Sequence, residues 1–289
     1  MLEIRNTWQA ATNPGLDSDY FDQLTLADVP LMDTHLFDAR NAWWLAELSR
    51  LIYRRSVGED GVVLPDRRTL LAAAGHTEVA FASGFSTQAA IIDVGDFHVL
   101  AFRGTQEPRD WVRNLDLFPD GSVGIGRAPK GFVAALNEVW TPIHAKLREI
   151  TGPIFYTGHS LGAALAVLAA ARIEPDRRPR AVYTYGCPRC GDSAFAMQHP
   201  LRDRIHRVVN NRDGVPTLPL GYVHTGELRY ITSDHKLLIN PPAAVVDHDK
   251  DVDDDSNKGL LKGDWPEWLA DHAPVNYVAW MQRIALGVA

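Results

Sequence analysis

Ser160, in Gly158-His159-Ser160-Leu161-Gly162, has the setting of a nucleophilic serine. Gly-x-Ser-x-Gly suits a sharp turn between a strand and a helix. The glycines lack a Cβ, so the two elements can pass close together, and the turn lifts the hydroxyl above the sheet. The start of the following helix offers N–H groups and a favourable dipole to a developing oxyanion. A serine hydroxyl also needs a histidine to take its proton and a carboxylate to orient that histidine. Downstream of Ser160 the chain offers Asp192, Asp203 and Asp213, and His224, His235, His248 and His272. The chemistry of such a set is acyl transfer through a covalent intermediate. His159 adjoins the serine but faces the wrong way along the turn, and reads as a packing or hydrogen-bonding residue.

The elements around Ser160 are the ones this turn demands. Ile154-Phe155-Tyr156-Thr157 is a short apolar run ending at Gly158, and an Ala/Leu-rich stretch suited to a buried helix follows directly. Upstream, Trp44, Leu45, Leu48, Leu51 and Ile52 recur at helical spacing across 41–54. Strand-like runs occupy 79–82, 89–94 and 99–102, and an amphipathic segment spans 130–150. Downstream, 181–185 and 205–209 read as strands, 222–231 as a hairpin, and 274–286 as a closing helix. Strands alternating with helices predict an α/β fold, with a mostly parallel central sheet covered on both faces.

A chain of 289 residues can bury about three-quarters of its unfolded surface. No linker-like stretch or repeat divides it, so one domain over 1–289 is expected, with an extended arm over 1–33. The net charge of −7 carries no basic stripe, which argues against nucleic acid as a partner. No window reaches the ~18 uninterrupted apolar residues of a membrane span. The first residues lack a basic start followed by an apolar stretch. The cytoplasm is therefore the default expectation, with a secreted mature form left open.

Several ordered blocks give the chain a wider likeness. They are Phe102-Arg103-Gly104-Thr105, 110–115, Lys130-Gly131-Phe132, 157–166, 183–189, and 211–216, which reads Asn211-Arg212-Asp213-Gly214-Val215-Pro216. Over residues 40–285 the sequence resembles the class 3 lipases, the fungal-type triacylglycerol lipases. The resemblance implies an α/β-hydrolase fold and a serine esterase acting on lipid or other carboxylic esters. No cofactor and no metal site is expected. A phospholipase A1 or another specialised esterase with the same machinery is the alternative. Transient contact with a lipid interface and the oligomeric state stay open.

In that fold the chain order is serine, acid, histidine. Asp213 follows the apolar Val208-Val209 and precedes Gly214-Val215-Pro216, a tight loop at a strand's carboxyl end. The family pattern puts its acid at this same position. His224 lies within the expected hairpin, His235 follows it too closely, and His248 sits in an acidic run. His272, in Asp271-His272-Ala273-Pro274, stands just before the closing helix, and its spacing to Tyr277 also resembles the family. The expected catalytic set is Ser160, Asp213 and His272, with His235 as the rival base. The backbone N–H of Leu161 is the first expected oxyanion donor, and the resemblance assigns the second to Thr105.

Three further segments complete the reading. Residues 106–117 resemble the family's lid in position but are polar, with Arg109, Asp110, Arg113 and Asp116 beside Trp111, Val112 and Leu115. That balance favours soluble esters over long-chain lipolysis at an interface. Cys187 and Cys190 flank Pro188-Arg189 within a turn that resembles the family's Gly-x-Pro-Arg-x-Gly. They read as two small buried residues, because 192 onward shows no clear helix to complete a redox motif. The run 247–257 lacks the sixth-position Gly and closing Glu of a calcium loop and reads as a solvated loop.

Overall fold

The computed structural model describes residues 1–5, 10, 14, 20–21, 31–57, 61–105, 119–120, 124–257 and 270–288, with 119–120 and 252–257 described in backbone only. Ten strands are present among them. β1 (Thr77–Ser83), β2 (Gln88–Asp93) and β3 (His98–Phe102) form an antiparallel meander. β4 (Pro119–Asp120) and β5 (Ala128–Pro129) make a small separate pair. β6 (Ile154–His159), β7 (Val182–Tyr185), β8 (Ile205–Asn210) and β9 (Glu227–Ile231) continue from β3 in parallel, and β10 (Leu237–Ile239) closes the edge antiparallel to β9. The resulting order is β1-β2-β3-β6-β7-β8-β9-β10, one eight-stranded sheet.

Side-chain alternation along these strands feeds two cores. Phe155, Tyr183, Tyr185 and Val208 point toward α1 (Ala39–Leu51) and α7 (Pro274–Leu286). Ile154, Tyr156, Val182 and Ile205 point toward α3 (Lys130–Leu147) and α4 (Leu161–Arg172). The central strands are buried on both faces, as a helix-covered parallel sheet requires. α4 is Ala-rich and buried from Leu161 to Ala170 because it lies directly on β6 and β3.

α1 begins at Asp38, whose carboxylate accepts from Arg40 N and Asn41 N at 2.9 and 3.0 Å. It is buried from Asn41 to Leu51. Its charged pair Arg50–Glu47 therefore closes internally at 2.7 Å, with the Arg50 guanidinium 4.0 Å over the Tyr20 ring. Leu2, Ala10, Tyr20 and Leu31 join the same core, and residues 6–9, 11–13, 15–19 and 22–30 of the expected arm lie outside the described residues.

The structure adds one local element and corrects three local expectations. A short α2 (Arg67–Ala73), capped by Asp66 on Thr69 N, was not visible as an apolar pattern because only Leu71 is buried. The hairpin is β9–β10 rather than 222–231, and residues 222–226 form the approach to β9. A helix does follow the cysteines: α5 (Ser193–Gln198), capped by the Asp192 carboxylate on Phe195 N at 2.8 Å. The acidic run is not a loop but the body of α6 (Ala243–Asn257). There Asp249 accepts from Tyr230 Oη at 2.8 Å and from Ser233 N and Oγ, so tertiary bonds override a weak local preference. The expected lid segment lies outside the described residues.

Candidate active site

The serine turn is built by backbone crowding. A Cβ on Gly158 would stand 2.2 Å from Gly162 O, and one on Gly162 would stand 2.2 Å from Phe102 O. Only glycine at both places lets β6, α4 and β3 approach this closely. Ser160 itself takes φ 59° and ψ −128°, a conformation that costs a non-glycine residue about 1–3 kcal/mol. The turn is held by Ser160 N donating to Tyr185 O at 2.9 Å and by Ala163 N donating to Ser160 O at 3.0 Å.

Asp213 sits past the carboxyl end of β8, its N–H donating to Asn210 O at 2.9 Å. His272 precedes α7. Their side chains meet, with Nδ1 of His272 2.8 Å from Oδ2 and 3.0 Å from Oδ1 of Asp213. Val215 N donates to Oδ1 at 2.9 Å and Tyr277 Oη donates to Oδ2 at 2.5 Å. The carboxylate is fully buried, and these donors replace the water it has lost. A carboxylate can only accept, so Nδ1 of His272 carries the proton and Nε2 presents a free lone pair.

Nε2 of His272, Oγ of Ser160 and Oγ1 of Thr105 are all buried without a hydrogen-bond partner. Buried polar atoms are normally satisfied, so three unpartnered ones at one end of the sheet single this region out as the candidate site. Thr105 follows Gly104, where a Cβ would stand 3.1 Å from Ser160 Cβ and 2.6 Å from His159 O. The loop after β3 thus lies directly against the serine turn. Leu161 opens α4, so its N–H belongs to the unpaired first turn of that helix.

His159 works as a brace. Its Nε2 donates to His272 O at 2.6 Å, which leaves Nδ1 to accept from Tyr53 Oη at 3.0 Å. Burial first, and then the charge of His272, hold its pKa well below the ordinary histidine range. It therefore stays neutral 4.5 Å, ring to ring, from His272. The loop before His272 is fastened from the acid's side, where Arg212 N donates to Asp271 Oδ2 at 3.0 Å and Asn210 Nδ2 donates to Asp271 O at 3.0 Å.

The other candidates fall elsewhere. Asp192 caps α5 and Asp203 is exposed in a turn. His224 lies before β9, with Nε2 2.8 Å from Pro216 O, and His235 stacks on Trp280 at 3.8 Å. His248 is on α6. Tyr53 and Gly186 were not legible beforehand as site residues. Tyr53 lies 106 positions from its partner His159. Gly186 takes φ +58°, and a Cβ there would stand 2.6 Å from Asp213 Oδ2 and 2.8 Å from His272 Nδ1. Among the described residues, no group of three or more His, Cys, Asp and Glu side chains converges as a metal site.

A mostly parallel sheet with a serine turn after β6, an acid after β8 and a histidine before the last helix defines an α/β-hydrolase. Residues 99–223 match the family model for Lipase (class 3). The chain is 33% identical over 178 residues to secreted mono- and diacylglycerol lipase A of Penicillium cyclopium, covering 56% of this chain and 57% of that one. Secreted mono- and diacylglycerol lipase 1 of Fusarium solani is 37% identical over 139 residues, 44% of this chain and 41% of that one. The chain thus aligns with only about half the length of these relatives. A crystal structure of an MDLA mutant from Penicillium cyclopium superposes with a TM-score of 0.57 at 24% identity, covering 93% of this chain and 94% of that one, and supports the fold.

Proposed function

We propose that the protein is a serine hydrolase that cleaves carboxylic esters of lipids through an acyl-enzyme, with Ser160, His272 and Asp213 as its triad. The observation that carries this is the oriented His272–Asp213 pair with a buried, unpartnered Nε2, beside an equally unpartnered serine hydroxyl. Nε2 takes the Ser160 proton as Oγ attacks the ester carbonyl. The oxyanion is received by the N–H of Leu161 and by Thr105, each such donor being worth about 10²–10³ in turnover. His272 returns the proton to the departing alcohol, and a water activated by the same nitrogen then frees the acid. Asp213 stays ionised and stabilises the imidazolium.

The relatives' names supply the substrate class: partial glycerides, with triacylglycerols and simpler carboxylic esters as the neighbouring range. Ser160 is fully buried, so an ester reaches it only after surrounding chain parts. Those names also favour a secreted enzyme, and the default expectation of the cytoplasm finds no support in them. The test is hydrolysis of mono-, di- and triacylglycerols and of p-nitrophenyl esters of graded chain length, beside fluorophosphonate labelling. Wild type should hydrolyse esters and take the label, and Ser160→Ala should do neither. Full esterase activity in Ser160→Ala would sink the proposal.

A further inference from the structure

Gly186-Cys187-Pro188-Arg189-Cys190-Gly191 joins β7 to the approach of α5. Both thiols are buried, and their sulfurs stand 3.5 Å apart, each facing the Pro188 carbonyl at 3.2–3.3 Å. A disulfide needs about 2.05 Å between the sulfurs, so the pair is roughly 1.5 Å short of bonding. Arg207 on β8 is buried and its charge acts on both thiols, and among the described residues it has no carboxylate in ion-pair reach. Its charge is therefore a standing counter-ion for a thiolate. The bond with Cys187, and then burial, push the Cys190 thiol up, with Arg207 opposing them, so Cys190 rests protonated.

The loop has little slack. Arg189 N donates to Leu218 O at 2.7 Å, Val223 N donates to Gly191 O at 2.8 Å, and Gly186 N donates to Val208 O at 3.1 Å. At its first residue the backbone lies so close to Asp213 and His272 that no Cβ fits. Drawing the sulfurs together pulls on Gly186, and through it on the His272–Asp213 pair.

We infer that Cys187 and Cys190 form a reversible intramolecular disulfide, made by exchange with a low-molecular-weight disulfide, and that closing it slows ester hydrolysis. The regulatory half rests on the hydrolase reading. One cysteine thiolate attacks the small disulfide and expels one thiolate. The second cysteine then displaces the other half from the mixed disulfide. Two thiols of the protein are oxidised, one small disulfide is reduced to two thiols, and the balance closes. Burial slows the first step, while the second is intramolecular and fast.

The sequence supplies a direct readout, because trypsin cuts after Arg180, Arg189 and Arg202. After equilibration of the native protein with oxidised glutathione, fragments 181–189 and 190–202 should stay joined until reduced. Turnover on a soluble ester should fall about tenfold, in keeping with small misplacements at a reacting centre, and return with dithiothreitol. Cys187→Ser and Cys190→Ser should keep their turnover under the same oxidant. Fragments that separate without reduction would overturn the inference, and so would joined fragments with unchanged turnover. A reduced protein that neither turns over ester nor takes a fluorophosphonate label would overturn the hydrolase reading, with the fragment linkage still deciding the bond.

Discussion

Asp213 can serve a histidine because four contacts stand in for its lost hydration: two from Nδ1 of His272, one from Val215 N and one from Tyr277 Oη. The tyrosine is the one that can be removed without touching the backbone or His272. Tyr277→Phe deletes a charge-assisted donor to Oδ2 and also frees Asn210 N, which donates to the same hydroxyl at 3.1 Å. Loss of such a bond costs about 1.5–3 kcal/mol. The expected result is a loss of stability of that size in urea unfolding, with turnover down about tenfold and KM little changed. Turnover equal to wild type would show that His272 is oriented without the tyrosine. The spacing from His272 to Tyr277 hinted at this contact. Nothing in the sequence linked Tyr53 to His159.

The elements meet the site at their ends, and two turns carry the tolerance. The serine turn was readable because its glycines and flanking hydrophobic runs are contiguous. Gly186 was not, because its neighbours Asp213 and His272 come from the ends of two other segments. Gly186→Ala should bring strain from φ +58° and a Cβ 2.8 Å from Nδ1 of His272. We expect turnover to drop about 10²-fold, as a misplacement of about 1 Å can cause, with far-UV circular dichroism unchanged. Unaltered turnover would mean that the loop can retreat from the pair, and would weaken the coupling inferred for the cysteines. The cysteine turn also shows how a reading fails: α5 is six residues long and depends on the Asp192 cap, too short to leave an apolar period.

For the whole molecule, the two-faced burial of the sheet sets its response to acid. Burial, opposed by their bonds to backbone carbonyls, pulls His199 and His206 down to about 4. Unfolded histidine titrates near 6.5, so between about 6.5 and 4 the unfolded chain binds protons that the folded chain refuses. Stability is thus fully present above about pH 6.5 and is lost as pH falls toward 4, by on the order of a few kcal/mol for the two together. Urea midpoints measured from pH 8 to pH 4 should fall across that window. The fall should be shallower in His206→Gln, which cannot titrate. A flat profile would show that these histidines protonate inside the fold.

Local pattern was enough for the fold class, for the sheet's central strands, for the turn at Ser160, and for picking out Asp213 and His272, whose side chains meet. Each depends on residues adjacent in the chain: apolar runs, glycines at a turn, an acid at a strand's end, a histidine before a helix. The brace of Tyr53 and His159, the close approach of Gly186, the helical state of 243–257 and the meeting of Cys187, Cys190 and Arg207 came from tertiary packing. These contacts join segments far apart in sequence. Their energies come from burial and mutual exclusion of volume, which no single stretch of chain expresses until the sheet has assembled.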